Sequence, residues 1–260
     1  MTTAYILQGS DPQTGLTFPS NGDAPTSTLV AFQFIDPQLD GLPPWGPSAA
    51  GVTYIWKVKL VQQAGYYTTF FWGNNGAFDA GKAYYGCHPY PQTPPSDTEH
   101  SWEISTEGDD FQETDATGEL TVLYGQWFTQ ALRLTDNGST STMKFYCDLP
   151  SVATSNIVTH TTTGHDANDT SPALTFGEAP WVPGGERLSG VLRGIKIFDK
   201  VLSEADMLSE AASDALVTAD GLAHIWYKQI NPDPDDMLCE AGTGRTPTWA
   251  NANHAALWTP

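Results

Sequence analysis

The chain has 260 residues and a formal net charge of −19, from 30 acidic residues against 11 lysines and arginines. A surface of that sign repels a polyphosphate backbone, which excludes nucleic acid as a partner and favours solubility. Charged residues make up only 16 %, while 24 glycines, 19 prolines and 12 % aromatic residues point to many strands joined by tight turns and exclude long helices.

The length suits one β-domain over residues 1–260, with 231–260 a Pro/Gly-rich tail packed through Trp249 and Trp258. No segment reaches the ~20 consecutive apolar residues of a membrane span. Residues 1–7 lack the basic and apolar regions of a secretory signal, so the expectation is synthesis in the cytoplasm and a virion or extracellular place after release. Cys87, Cys147 and Cys239 form no Cys-x-x-Cys pair and read as buried small apolar residues.

In chain order, residues 1–27 suit an edge strand and a surface loop, and 28–35 is the first strand. Pro43, Pro44 and Pro47 make a loop around Trp45, because proline supplies no ladder donor. Residues 52–61 alternate with the period of a half-buried strand, and 66–72 is aromatic on both faces before the Asn74-Asn75-Gly76 turn. Residues 84–91 run into prolines, 100–106 resumes a strand, and the acidic residues at 109–110 and 113–115 predict an exposed turn. Strands follow at 119–124, 126–135 and 142–149, the last two linked as a hairpin by Asp136-Asn137-Gly138-Ser139. Residues 151–171 read as a long loop with a short strand at 156–160, then strands at 174–176 and 191–198. Ser203-Glu204-Ala205-Asp206 resembles a capping box opening a helix, with Leu208, Ala211, Ala212 and Ala215 at helical spacing. Residues 223–230 form a last strand.

Three segments carry a family resemblance. Gly125-Gln126-Trp127 with its alternating run to Asp136 is similar to one strand pattern of the laminin-G-like branch of the concanavalin A-like superfamily. Lys144-Phe145-Tyr146-Cys147-Asp148 resembles that branch's Leu-Tyr-Val-Asp-Gly strand. Residues 188–206, with Gly190, Ile195-Lys196-Ile197-Phe198, Leu202-Ser203 and an acidic helix start, resemble its late-chain signature. The sequence departs from the pattern where Cys147-Asp148-Leu149-Pro150 replaces an Asp-Gly hairpin. The resemblance implies an all-β, two-sheet antiparallel jelly-roll sandwich with one short helix. It also implies a range of roles: lectin-like and adhesion modules, glycan-cleaving enzymes and bacteriophage-encoded proteins. A fold of this kind does not choose among them.

The chemistry-bearing residues were read against those roles. Glucanases of the superfamily carry Glu-x-Asp-x-x-Glu, which is absent; Glu103 and Glu107 are nearest, yet lie ~13 Å apart along a strand, too far for a glycosidase pair. Polysaccharide lyases on the fold use Arg, Gln, His and Tyr, so His88, His100, Glu103, Gln130, Arg133 and Tyr146 are the candidates if the chain is an enzyme. Gln130 and Arg133 are expected on opposite strand faces. Trp45, Trp72, Tyr84, Tyr85, Tyr90 and Trp181 are the aromatic candidates for stacking on a sugar ring. Calcium is the one cofactor left open, at Asp166 and Asp169 beside His160 and His165, or at Asp233 and Asp235; neither run has zinc or EF-hand spacing. The sequence reading is a non-enzymatic structural or adhesive module, with glycans or virion and capsid proteins as partners. The alternative is a glycan-cleaving enzyme; self-association into a homo-oligomer stays open.

Overall fold

A computed structural model of the protein describes residues 16–18, 32–34, 51–60, 70–74, 84–91, 100–106, 109–113, 125–136, 140–153, 156–163, 172–176, 190–198, 200–213, 217, 223–226 and 248–249. The strands are β1 (Leu16–Phe18), β2 (Phe32–Phe34), β3 (Gly51–Leu60), β4 (Phe70–Asn74), β5 (Tyr84–Pro91), β6 (His100–Thr106) and β7 (Asp109–Glu113). They continue with β8 (Trp127–Asp136), β9 (Thr140–Leu149), β10 (Ile157–Thr163), β11 (Pro172–Phe176), β12 (Gly190–Phe198), β13 (Ala223–Trp226) and β14 (Thr248–Trp249). The helix α1 is Glu204–Ala211.

The described pairings are all antiparallel. One sheet runs β1-β12-β3-β8-β9-β10 with β13 on β12; the other runs β14-β2-β11-β4-β5-β6-β7. Among the described residues no helix is long and apolar enough to cross a membrane.

The centre of the first sheet is buried on both faces. One face carries Tyr54, Trp56, Val58, Phe128, Leu132 and Phe145, with the Trp56 and Phe145 rings stacked at 6.1 Å and 14°. The other carries Ile55, Ala131, Tyr146 and Phe198, covered by Leu202 and by Met207 and Ala211 of α1. Met207 and Ala211 are four apart and meet the sheet as neighbours on one helix face. Ser203 caps the helix as its sequence suggests: its hydroxyl accepts from the Asp206 amide at 3.1 Å and donates to the Asp206 carboxylate at 2.7 Å. The helix stops at Ala211, short of Ala215, and its buried positions are Met207, Glu210 and Ala211, while Ala212 is exposed.

Three strands are new relative to the sequence reading: β5, β7 and the short β14 within the 231–260 tail. β7 occupies residues 109–113, where acidic residues predict a turn; it is an edge strand, where charge is tolerated. β5 runs through Pro89 and Pro91; among the described residues β4 pairs with 84–87 and the proline end has β6 as its one neighbour, an arrangement that tolerates proline. Trp127 is half-buried, and the next residue, Phe128, takes the core position. Of 191–197, Lys196 is the described side chain; it is buried, and it reaches the helix-covered face through a register shift between Arg193 and Lys196 that places Gly194-Ile195 against one residue of β3. The strand expected at 119–124 and most of 231–260 lie outside the described residues.

Candidate functional site

Arg133 and Tyr146, both lyase-type candidates, do meet. Arg133 Nη1 donates to the Tyr146 hydroxyl at 2.8 Å, and that hydroxyl donates to Glu204 Oε1 at 3.3 Å; Arg133 and Glu204 stand 4.0 Å apart. The Tyr146 residue is fully buried, and the Arg133 and Glu204 side chains are 18 % and 49 % exposed. Burial pushes the phenol above its ordinary value of 10.0, with Arg133 acting against the shift and Glu204 adding to it. Near neutral pH the phenol is therefore protonated and engaged at both ends, and the cluster fastens the start of α1 to the sheet. Arg133 Nε is buried without a hydrogen-bond partner. Sequence reasoning passed over Glu204, whose signal was its place at the first helical position.

Gln130 is on the opposite face from Arg133, as expected from their spacing. It is enclosed: Trp56 Nε1 donates to its Oε1 at 3.0 Å, and its Nε2 donates to the Cys147 carbonyl at 3.3 Å. The β8–β9 register shifts here, so that Cys147 and Asp148 oppose Gln130 alone, and the glutamine amide takes up the Cys147 carbonyl. This bulge is what stands at the departure from the Asp-Gly hairpin. Beyond it the Leu149-Pro150 bond is cis, and the Asp148 carbonyl accepts from Ser151 N at 3.0 Å and Asn156 Nδ2 at 2.9 Å. Burial pushes the Asp148 carboxyl above its ordinary range.

A second polar group under the helix was not singled out from sequence. Lys196 Nζ donates to Glu210 Oε2 at 2.8 Å, to the Glu210 carbonyl at 2.8 Å and to the Ser213 carbonyl at 2.9 Å, while the Glu210 carboxylate accepts from Val217 N. Both side chains are essentially inaccessible, at 2 % and 0 %. Thr53 adds a third tie: its hydroxyl donates to the Lys200 carbonyl at 2.9 Å and accepts from Leu202 N at 3.0 Å.

In the second sheet the register sorts the remaining candidates. His88 is directly opposite Glu103, which is opposite Gln112. By the two-residue period, Tyr84, His88, Tyr90, Ser101, Glu103 and Gln112 occupy one face. Trp72, Tyr85, Cys87 and Ile104 occupy the other, with Phe70 and Phe111, and His100 falls on that side too. The aromatic candidates are thus divided: Tyr84 and Tyr90 share a face with Phe71, His88, Glu103 and Gln112, and Trp72 and Tyr85 share the other with Phe70, Cys87, Ile104 and Thr106. Trp45, Trp181, His165, Asp166, Asp169, Asp233 and Asp235 lie outside the described residues. Among the described residues no group of His, Cys, Asp and Glu gathers to hold a metal ion. Cys147 is free and buried.

No known protein family matches the sequence, and no curated protein matches it. Among solved structures the chain is similar to full-length tailspike protein 2 from Escherichia coli O157:H7 bacteriophage CAB120, with a TM-score of 0.50 and 13 % identity over 80 % of this chain and 25 % of that one. The enzymatically active domain of bacteriophage CBA120 tailspike protein 2 also scores 0.50, at 12 % identity over 80 % of this chain and 28 % of that one. A putative carbohydrate-binding protein from Bacteroides ovatus scores 0.47, at 11 % identity over 92 % of this chain and 65 % of that one. The chain therefore spans about a quarter of the tailspike's length, and at these identities the likeness is one of fold. It is consistent with a mostly stranded antiparallel architecture carrying one helix.

Proposed function

We propose that the chain is a non-enzymatic attachment module of a virion component, a capsid-decoration, head-fibre or tail-associated protein, that binds glycans through the polar face of β5 and β6. Its two sheets stack as a jelly-roll sandwich. The fully buried aromatic face of the first sheet and the apolar row Phe70, Trp72, Tyr85, Cys87, Ile104 and Phe111 of the second are the surfaces such stacking joins. The observation that carries the functional reading is the row Tyr84, His88, Tyr90, Ser101 and Glu103 on the face away from that apolar row. It combines rings for stacking with donors and acceptors for hydroxyls. The tailspike likeness supports the virion setting.

The test is a polysaccharide panel titrated with the purified protein, alongside pull-down of virion proteins. Tyr84→Ala and Tyr90→Ala should each weaken glycan binding by about 0.5–1.5 kcal/mol, the worth of a ring contact, without changing the melting temperature. Unchanged affinity in both variants removes this face from consideration.

Glycan cleavage is the second reading, and it is favoured by the register that sets His88 directly opposite Glu103, two residue types that serve general acid–base catalysis. Release of reducing ends or unsaturated uronates, lost in His88→Ala or Glu103→Ala, would establish it.

A further inference from the structure

The first sheet carries a basic pair that no role above uses. Arg133 stands directly opposite Lys144 in the β8–β9 register, and Lys144 stands opposite Thr159 of β10. One step along the strands, Thr135, Thr142 and Thr161 make the next row on the same face, with the Thr142 and Thr161 hydroxyls 3.3 Å apart. Thr159 and Thr161 are exposed, and Thr135, Thr142 and Lys144 half-buried. The body of α1 covers the Tyr146 and Ala131 end of this face.

Like charges directly opposed across a ladder, with Cβ atoms about 5 Å apart, are destabilising unless something neutralises them. In a chain of net charge −19 carboxylates are plentiful, yet among the described residues only Glu204 approaches Arg133, at 4.0 Å, and none pairs with Lys144. Asp206, the other acidic residue of the first helical turn, is engaged with Ser203. The uncompensated charge is thus the Lys144 ammonium, framed by threonine hydroxyls able to donate to the same ligand.

We infer that Lys144, with Arg133 and the hydroxyls of Thr159 and Thr161, forms an anion subsite for a sugar-borne carboxylate. The overall negative charge repels a long polyanion, so the ligand that fits is a short oligosaccharide bearing few carboxylates. This site lies on a different sheet from the Tyr84 and Tyr90 face and stands or falls independently of it.

The experiment is calorimetric titration of the full chain with trigalacturonate and with its methyl ester, in which the carboxylate charges are removed and the sugar rings kept. The acid should bind about tenfold more tightly than the ester, the worth of one charge-assisted hydrogen bond. Lys144→Gln should abolish that difference, and Tyr90→Ala should leave it intact. Lys144→Glu supplies the folding control: it places an opposite charge beside Arg133, so its melting temperature should match or exceed the parent's while the preference for the acid disappears. Equal binding of acid and ester, no binding of either, or an unchanged preference in Lys144→Gln would overturn the subsite. Displacement of trigalacturonate by equimolar inorganic sulfate would overturn its assignment to a sugar acid.

Discussion

The two faces of the central β3-β8-β9 sheet are buried by different means. The face carrying Trp56 and Phe145 is apolar apart from Gln130 and the Tyr54 phenol, and the Trp56 and Gln130 side chains bond to each other and to the Cys147 carbonyl within the sheet. The face under α1 has an apolar cluster of its own and is held in addition by polar ties to separate chain segments: Lys196 to Glu210 and Ser213, Thr53 to Lys200 and Leu202, and Arg133 through Tyr146 to Glu204. A sheet face of wide apolar area needs only complementary shape, whereas an eight-residue helix covers little area and is positioned by directional bonds.

That contrast can be broken from either side. Trp56→Ala removes the largest fully buried side chain and leaves the Gln130 carbonyl without its donor, so it should cost about 3–5 kcal/mol, read from chemical denaturation. A loss under about 1 kcal/mol would mean that this face is not close-packed. Lys196→Met alone should cost about 3–5 kcal/mol by stranding the Glu210 carboxylate. Combined with Glu210→Leu it should recover most of that loss, because replacing both ions by apolar groups is often neutral. A double variant as unstable as the single one would show that the backbone carbonyl bonds of Lys196, rather than its charge pairing, hold the helix end.

Smaller effects sharpen the picture. Tyr146→Phe deletes the phenol between Arg133 and Glu204 while keeping the ring, and should cost about 1–2 kcal/mol. Asp148→Asn should act in the stabilising direction at neutral pH. The raised folded-state pKa means that the buried carboxylate is a penalty which grows as pH rises through the unfolded value of 3.8 and is complete above the folded one. Below 3.8, where both states hold the proton, the melting temperatures of variant and parent should converge. A difference that persists there would assign the effect to the amide's hydrogen bonds.

Much of the first sheet was legible in the sequence because its strands follow simple alternation. Residues 52–61, 126–135, 142–149 and 191–198 were expected as strands and are found within two residues at each end. Ser203 announced the helix through capping chemistry. What escaped was whatever depends on a broken period. The shifts at Gln130 and before Lys196 change which residues share a face, so a buried lysine was hidden inside an aliphatic run. Glu210 was invisible for the same reason, since a carboxylate in a helix ordinarily reads as solvated. In the second sheet, the prolines of β5 and the acids of β7 spoke against strands whose one-sided pairing tolerates them. The pairing of His88 with Glu103 required a register that no local pattern encodes.

The central claim is that the protein holds a glycan without cutting it. Its most direct test is to take the polysaccharide that binds best, incubate it with the protein far beyond the time needed for binding equilibrium, and measure its chain length and end groups. Recovery of the polymer at its original length, still bound through the Tyr84 and Tyr90 face, is the expected result. Shortened chains, with scission abolished by His88→Ala or Glu103→Ala, would contradict it.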